Sequence, residues 1–273
     1  MPLRFSLREA TTIPIELNGI LPELLVGRSL GEIERGTLLA GNRQVPAAEL
    51  FAISGSPDDS VLEIVGDNLA NLHGVGSQMT TGAIRVEGAI GRHLGAQMSG
   101  GAIVVRGDAG DWVGAEMRGG LIHVRGAAGH ALGAAYRGSS RGMTGGTILV
   151  DGQAGNEIGR AMRRGLIAIG GDAGDATGFG LLAGTIVVGG SLGLRSGANM
   201  RRGTIVQLGA ERPTILPTFA TSCRLRPPFW RLLVGHLRQL GFDLPIETRD
   251  REFELLKGDL LEGGRGDLLV SPA

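Results

Sequence analysis

Apolar and polar residues alternate in short runs along most of this chain, and the runs recur at a fixed interval. Ile84 and Val86, Ile103 and Val105, Ile122 and Val124, Ile148 and Val150, Ile167 and Ile169, and Ile186 and Val188 each occupy alternate positions of a short segment. That two-residue period places each pair on one face of a β-strand. Between Val61 and Gly209 the full motif is apolar-x-apolar-x-Gly-x-x-Gly-x-x-x-Gly. Units begin at Ala83, Ala102, Leu121, Thr147, Leu166, Thr185 and Thr204, and all intervals but one are 19 residues. The exception, Leu121 to Thr147, is 26, or 19 plus a seven-residue insertion around Ser139 to Met143, and an earlier copy at Leu62 to Gly82 is three residues longer. A period in this range is the mark of a stacked repeat architecture.

A second apolar column, Leu94, Val113, Leu132 and Ile158, is followed four residues later by Met98, Met117, Tyr136 and Met162. These columns predict a core closed on two walls. The positions between the inward pairs are mixed, Arg85, Val104, His123, Leu149, Ala168 and Val187, so part of the outer face is apolar and calls for a cover. An odd repeat length reverses strand parity from one unit to the next unless the turns reset it. Glycines such as Gly88, Gly91 and Gly95 do so by positive φ or by close approach. No proline occurs from Gly66 to Gly209, as expected where both edges of each strand are hydrogen-bonded. The prediction is an all-β-dominated chain: a right-handed parallel β-helix, a solenoid of 19-residue coils, at residues 61–209. Residues 1–60 form an N-terminal α/β cap over the first open edge. Residues 210–273 form a C-terminal cap with an amphipathic helix from Pro228, in which Leu232, Leu233, Leu237 and Leu240 point inward and plug the other end, followed by strand-like segments.

Composition narrows the function classes. Glycine supplies 49 of 273 residues, well above the usual share. The 27 basic and 27 acidic residues cancel, so no global field favours nucleic acid or an anionic membrane. All basic residues but Lys257 are arginine, which points to a GC-rich bacterial coding bias. One cysteine, Cys223, excludes an internal disulfide framework and a multi-cysteine metal site, and it reads as a buried thiol. No run approaches the roughly 20 apolar residues of a membrane span, so a cytoplasmic protein is expected.

The glycines do not form a dinucleotide fingerprint, which needs one Gly-rich turn between a strand and a helix. A calcium-binding roll needs nine-residue repeats bearing aspartate, whereas only Asp108 and Asp172 occupy the relevant column. A hexapeptide acyltransferase is a stronger rival, since small or apolar residues recur six apart at Ile84, Ile90 and Ala96. Its coils have 18 residues, however, and Arg160 falls where one of its small residues belongs. The histidines His73, His93, His123, His130 and His236 show no metal spacing and read as surface or packing residues. Arginines form a strip: Arg118, Arg163 and Arg201 share one column after the methionine position, Arg164 and Arg202 the next, with Arg137 nearby. Beyond a solvated corner, such a strip suits acidic groups of a partner subunit or an anionic ligand tail. The EGGRG loop at 262–266 reads as a turn that also admits an anion.

The units GDAGDWVG and GQAGNEIG, with the tail GDLLEGGRGDLLV, resemble the family of formylmethanofuran dehydrogenase C subunits over residues 60 to 270, and the repeat is similar to the C-terminal domain of the glutamate synthase large subunit. The lysine-poor composition fits the bacterial branch, the formyltransferase/hydrolase complex of methylotrophs. The resemblance implies a non-catalytic scaffold subunit in one-carbon metabolism. In that complex formyl-tetrahydromethanopterin is converted to formate by way of a formylated methanofuran-type cofactor. It implies partners: an amidohydrolase-like A subunit that holds the metal, a B subunit and a formyltransferase D subunit. It carries no catalytic, cofactor or metal residue onto this chain; the expected interface is Arg118, Arg163, Arg164, Arg201 and Arg202.

Overall fold

The computed structural model describes residues 1–244 and 246–272. Among them, 13 strands join in one mostly parallel sheet. Its middle is made by the repeats: Val61–Val65, Ala83–Glu87, Ala102–Val105, Leu121–Val124, Thr147–Val150, Leu166–Ile169, Thr185–Val188 and Thr204–Gln207 lie side by side in chain order. Equivalent residues face each other throughout, Ile84 opposite Ile103, Ile122 opposite Ile148, and Ile167 opposite Ile186. The inward Ile and Val columns are fully buried. Parallel neighbours about 4.8 Å apart let identical β-branched side chains nest along the stack, and each one removed from water contributes roughly 1.5–3 kcal/mol before entropy is counted.

A second row of parallel bridges links Leu69, Ile90, Ala109, Ala128, Ala154, Ala173 and Leu192. A third set of contacts runs from Gly95 N to Val75 O, Gly114 N to Leu94 O, Gly133 N to Val113 O and Gly159 N to Leu132 O. Each unit is thereby hydrogen-bonded to its neighbours on several sides, as buried backbone requires.

The glycines divide into two kinds. At Gly107 the backbone is not left-handed; a Cβ there would lie 2.5 Å from Gly88 C and 2.7 Å from Ala89 N. Left-handed backbone, in contrast, is held by ordinary residues in every layer, among them His93, Trp112, Ala131, Glu157, Ala176 and Arg195. Stacking distance, more than φ, dictates the glycines of the first corner.

The insertion threads differently from the sequence prediction. Met143, fully buried, takes the inward place expected for Tyr136, and Tyr136 lies outside. Met143 N bonds Gly133 O at 2.9 Å and Thr144 N bonds Met117 O at 2.7 Å, so the extra residues are Tyr136 to Gly142. The thioether fills the methionine column, which a hydroxyl-bearing ring enters only with a partner for its oxygen.

At the N-terminal end Leu3–Leu7 adds to Val61–Val65 in parallel, and Phe51–Ser54 pairs antiparallel outside it. A smaller sheet of Arg43–Pro46, Thr37–Ala40, Ile15–Glu16 and Leu72–His73 and short helices Pro22–Leu25 and Leu30–Glu34 complete this region. Ser29 and Glu32 form a reciprocal capping box at the start of the latter helix.

The C-terminal segment departs from expectation in three ways. The end of the stack is closed by Gly266–Val270, parallel to Thr204–Gln207, followed by the antiparallel strands Phe253–Gly258 and Ala220–Leu225. Helix Pro228–Gln239 instead lies over the outer face of the sheet, where Trp230, Val234 and Leu237 pack against Leu149, Ala168, Val187 and Val206. This is the cover the mixed outer column called for. Leu232 is not inward: it is 77% exposed, because the face that buries the indole turns it to solvent. Cys223 is exposed rather than buried, since Ala220–Leu225 is the last strand and its residues are almost all uncovered. No helix among the described residues is long and apolar enough to cross a membrane.

Candidate functional site

The insertion separates two concave features. On one side lies a groove of about 860 Å³ lined by Arg141, Arg160, Arg163, Arg164, Arg201, Arg202 and Arg265, with Tyr136, Phe179, Leu182 and Ala183. No carboxylate lines it among the described residues. Its floor follows from the repeat. Amide bonds of 2.8 Å run from Arg163 to Met143, from Leu182 to Met162 and from Arg201 to Leu181, so Thr144, Arg163, Leu182 and Arg201 form one column and Gly145, Arg164, Ala183 and Arg202 the next. Arginine pairs thus alternate with small or apolar layers.

Two of the seven arginines are engaged: Arg201 Nε with Glu262 at 3.0 Å, and Arg160 Nε with Glu157 at 3.4 Å. Arg160 also donates to Ala135 O at 2.5 Å and lies 5.9 Å from the Trp112 ring centre. Arg141, Arg163, Arg164, Arg202 and Arg265 make no ion pair among the described residues. Arg265 is placed by the tail. Asp259 accepts from Asn199 N at 2.9 Å and Leu261 N at 3.1 Å, fastening the turn around Leu260–Glu262 to the last layer. Burial alone would raise the Asp259 carboxyl, yet these amides and the Thr218 hydroxyl hold it below its ordinary range.

On the other side, Tyr136 stacks on Trp112 with ring centres 5.1 Å apart, and its hydroxyl meets His93 Nδ1 at 2.9 Å. A pocket of about 550 Å³ opens here, lined in part by Glu16, Asn18, Gln78, His93, Gln97 and Tyr136. Gln78 donates to Gln97 at 3.3 Å and Gln97 to Glu116 at 3.1 Å, continuing the stack as a side-chain ladder. Burial pushes the Tyr136 phenol up, with Glu116 adding to it, and pushes His93 down against the opposing pull of Glu16. Burial would also raise Glu116, but hydrogen bonds from Ser139, Gln97 and the Tyr136 amide, with Arg118 nearby, hold its carboxyl low. Both members of the His93–Tyr136 pair therefore favour their neutral forms; their contact fastens the insertion.

His73, His130 and His123 are tied into the frame. His73 Nδ1 accepts from Arg92 N at 3.0 Å and His130 Nδ1 from Asn156 N at 2.8 Å. His123 is buried beneath Phe242 with Nε2 2.8 Å from Asp151. The insertion lies between the members of this pair, and it supplies Tyr136 to the His93 pair, so no repeat interval announced either. No three His, Cys, Asp or Glu side chains among the described residues converge as metal ligands do.

Of the arginines singled out from sequence, Arg163, Arg164, Arg201 and Arg202 line the groove, and Arg118 does not: Thr144 stands between it and Arg163 in the column. Arg141, Arg160 and Arg265 were missed. The EGGRG loop was the one available signal for Arg265.

No family model matches the chain. It is 40% identical over 90 residues to the C subunit of the tungsten-containing formylmethanofuran dehydrogenase 2 of Methanothermobacter thermautotrophicus, covering 32% of this chain and 33% of that relative. It is 37% identical over 91 residues to the C subunit of the molybdenum-containing formylmethanofuran dehydrogenase 1 of Methanosarcina barkeri, covering 32% of this chain and 30% of the relative. The matched stretch spans about a third of the length of these curated relatives. A chain in the crystal structure of the formyltransferase/hydrolase complex (FhcABCD) of Methylorubrum extorquens, solved with methylofuran, is similar over 99% of this chain and 100% of its own, at a TM-score of 0.89 and 34% identity.

Proposed function

The chain belongs to the family of formylmethanofuran dehydrogenase C subunits, and on that footing we propose that it is the non-catalytic scaffold subunit of a cytoplasmic formyltransferase/hydrolase complex. The observation that carries this reading is the correspondence along the whole chain with a chain of the FhcABCD complex. The layered geometry supports it. The parallel register repeated in two columns fits a right-handed parallel β-helix at residues 61–209, right-handed being the hand that parallel crossovers take. Residues 1–60 and 210–273 serve as its caps. Its inward columns are packed solid, so recognition falls to the outer faces.

In this reading the complex converts formyl-tetrahydromethanopterin to formate by way of a methanofuran-type cofactor. Formate release belongs to an amidohydrolase-like A subunit with its metal, formyl transfer to a D subunit, and the assembly is completed by a B subunit. The cofactor is held by those partners. Arg163, Arg164, Arg201 and Arg202, with Arg118 at the margin, are interface residues; guanidinium forks suit carboxylates across a subunit boundary. The hexapeptide acyltransferase alternative gains nothing from the 19-residue layers or from Arg160, whose guanidinium bridges Ala135 and Glu157.

The test is purification of the native tagged chain. Co-purification of the three partners, with no formyl transfer or formyl hydrolysis by the isolated chain, is the expected result. A monodisperse, partner-free chain with either activity would overturn it.

A further inference from the structure

Across the insertion from the arginines, the pocket of about 550 Å³ carries the opposite chemistry. Glu16 supplies a carboxylate to its wall, and no arginine or lysine lines it among the described residues. The direction of the side-chain ladder beside it follows from the ladder's inner end. Glu116, whose carboxyl is held low, only accepts. Gln97 must therefore turn its amide nitrogen toward Glu116, at 3.1 Å, and its carbonyl oxygen toward Gln78. Gln78 donates to that oxygen at 3.3 Å, which leaves the Gln78 carbonyl oxygen at the mouth of the ladder with no hydrogen bond among the described residues. The same logic orients Asn18, whose amide nitrogen donates to Glu16 at 3.4 Å and whose oxygen lies against Gly74. Ser77 donates its hydroxyl proton to His93 O at 3.1 Å and keeps its lone pairs free. The lining thus offers a negative charge and several acceptors, and it calls for a cation rich in donors.

The rest of the wall narrows the class of cation. Tyr136 turns its ring to the pocket, and His93, neutral through burial, adds no opposing charge. This aromatic cluster already carries one guanidinium, since Arg160 lies 5.9 Å from the Trp112 ring centre and Trp112 stacks on Tyr136. An ammonium concentrates its donors around a point, whereas a guanidinium spreads them in a plane, serving separate acceptors while its face rests on a ring. Leu21 and Leu24 border the pocket, and Leu24 is 48% exposed, an apolar surface suited to a methylene stem. The cavity is larger than a guanidinium and its stem, which leaves room for the backbone that bears them. From these observations, and resting on the scaffold reading above, we infer that the pocket seats an arginine side chain presented by a partner subunit. Its guanidinium lies between the Glu16 carboxylate and the Gln78 carbonyl oxygen, and its stem crosses Leu21 and Leu24.

The experiment titrates the isolated full chain with the blocked tripeptide acetyl-Gly-Arg-Gly-amide and follows the ring signals of Tyr136 by NMR. The chain has a single tyrosine, so these signals need no assignment. A saturable shift is the expected result. Glu16→Gln and Gln78→Ala should each weaken binding at least about fivefold. Alanine suits the second position, because Ala161 holds the same left-handed corner in another layer. Acetyl-Gly-Lys-Gly-amide should bind at least about threefold more weakly than the arginine peptide. Glu87→Gln, which removes an exposed carboxylate paired with Arg106, should change nothing, and circular dichroism should report the same fold for all variants. The absence of a saturable shift, equal binding of the lysine peptide, or indifference to either pocket variant would overturn the inference. So would saturation by butylguanidinium where the tripeptide fails, which would make the pocket a site for a free small molecule. Co-purification judges the scaffold reading separately: a chain that ignores the tripeptide yet retains its partners refutes the arginine and leaves the scaffold standing.

Discussion

Alanine at Gly107 should cost far more than alanine at Gly180 although both replace a glycine in the same ladder. At Gly107 the new methyl carbon would sit 2.5 Å from Gly88 C and 2.7 Å from Gly88 O, with backbone on the receiving side and no rotamer to relieve the clash. Contact at normal separation needs about a further ångström between adjacent layers. That movement pulls on Gly126 N to Gly107 O, a 3.0 Å bond in the next layer. Overpacking of this kind costs about 1–3 kcal/mol where side chains can adjust, so about 3 kcal/mol or more is expected here. At Gly180 the picture reverses: φ is +62°, but the nearest atom to a Cβ is Asn199 Nδ2 at 4.0 Å. The same corner in other layers is held by Gln97, Glu116, Ala161 and Asn199 at φ of 57°, 54°, 56° and 62°. Left-handed strain of about 1–2 kcal/mol is only partly offset there by the lower freedom of the unfolded chain, leaving a net cost of about 1 kcal/mol. In differential scanning calorimetry at matched scan rates, Gly107→Ala should lower the transition by about 6–12 °C, at roughly 2–4 °C per kcal/mol, and Gly180→Ala by no more than about 4 °C. Equal shifts in the two variants would refute the division between stacking glycines and turn glycines.

The helix over the outer face gives a second contrast. Trp230→Ala removes a buried indole and should cost about 3–5 kcal/mol, while Leu232→Ala, at a side chain 77% exposed, should stay within about 0.5 kcal/mol; chemical denaturation of both measures this, and a costly Leu232→Ala would place the helix differently. His73 gives a pH dependence. Burial lowers its pKa from 6.5, outweighing Glu16 on one side and reinforced by Arg92 on the other, and its bare Nδ1 accepts the Arg92 amide. A depressed histidine pKa means that the unfolded chain binds the proton more readily, so its contribution is fully present above pH 6.5 and is lost as pH falls through the folded value. NMR titration should find His73 below 6.5, and a folded-state value above it would falsify the acceptor role.

The layers were legible because stacking repeats its demands: the same Ile or Val must recur wherever the same inward site recurs. The 19-residue interval therefore dictates the register from Ala83 to Val124 and again from Thr147 to Gln207. Excursions from the stack obey no such period. Tyr136 stands four residues after Leu132, where a methionine stands in other layers, and only packing distinguishes it from Met143. Arg163, Arg164, Arg201 and Arg202 were visible as a column, but Arg141 and Arg265 arrive from the insertion and the tail. The helix was legible as a helix, yet its orientation was not, since leucines on two faces compete and the helix's own Trp230 decides. Cys223 looked like a core residue by type; its exposure follows from the terminal place of its strand.

The seven extra residues from Tyr136 to Gly142 leave and rejoin the stack at nearly the same point, with Met143 N on Gly133 O at 2.9 Å and Ala135 N on Arg160 O at 3.0 Å. The layers above and below meet as though nothing had been added. One wall of the arginine groove can therefore change in length and composition across related proteins while the frame keeps its dimensions. A graft at this junction is a means of re-targeting the protein to a new partner without redesigning its core.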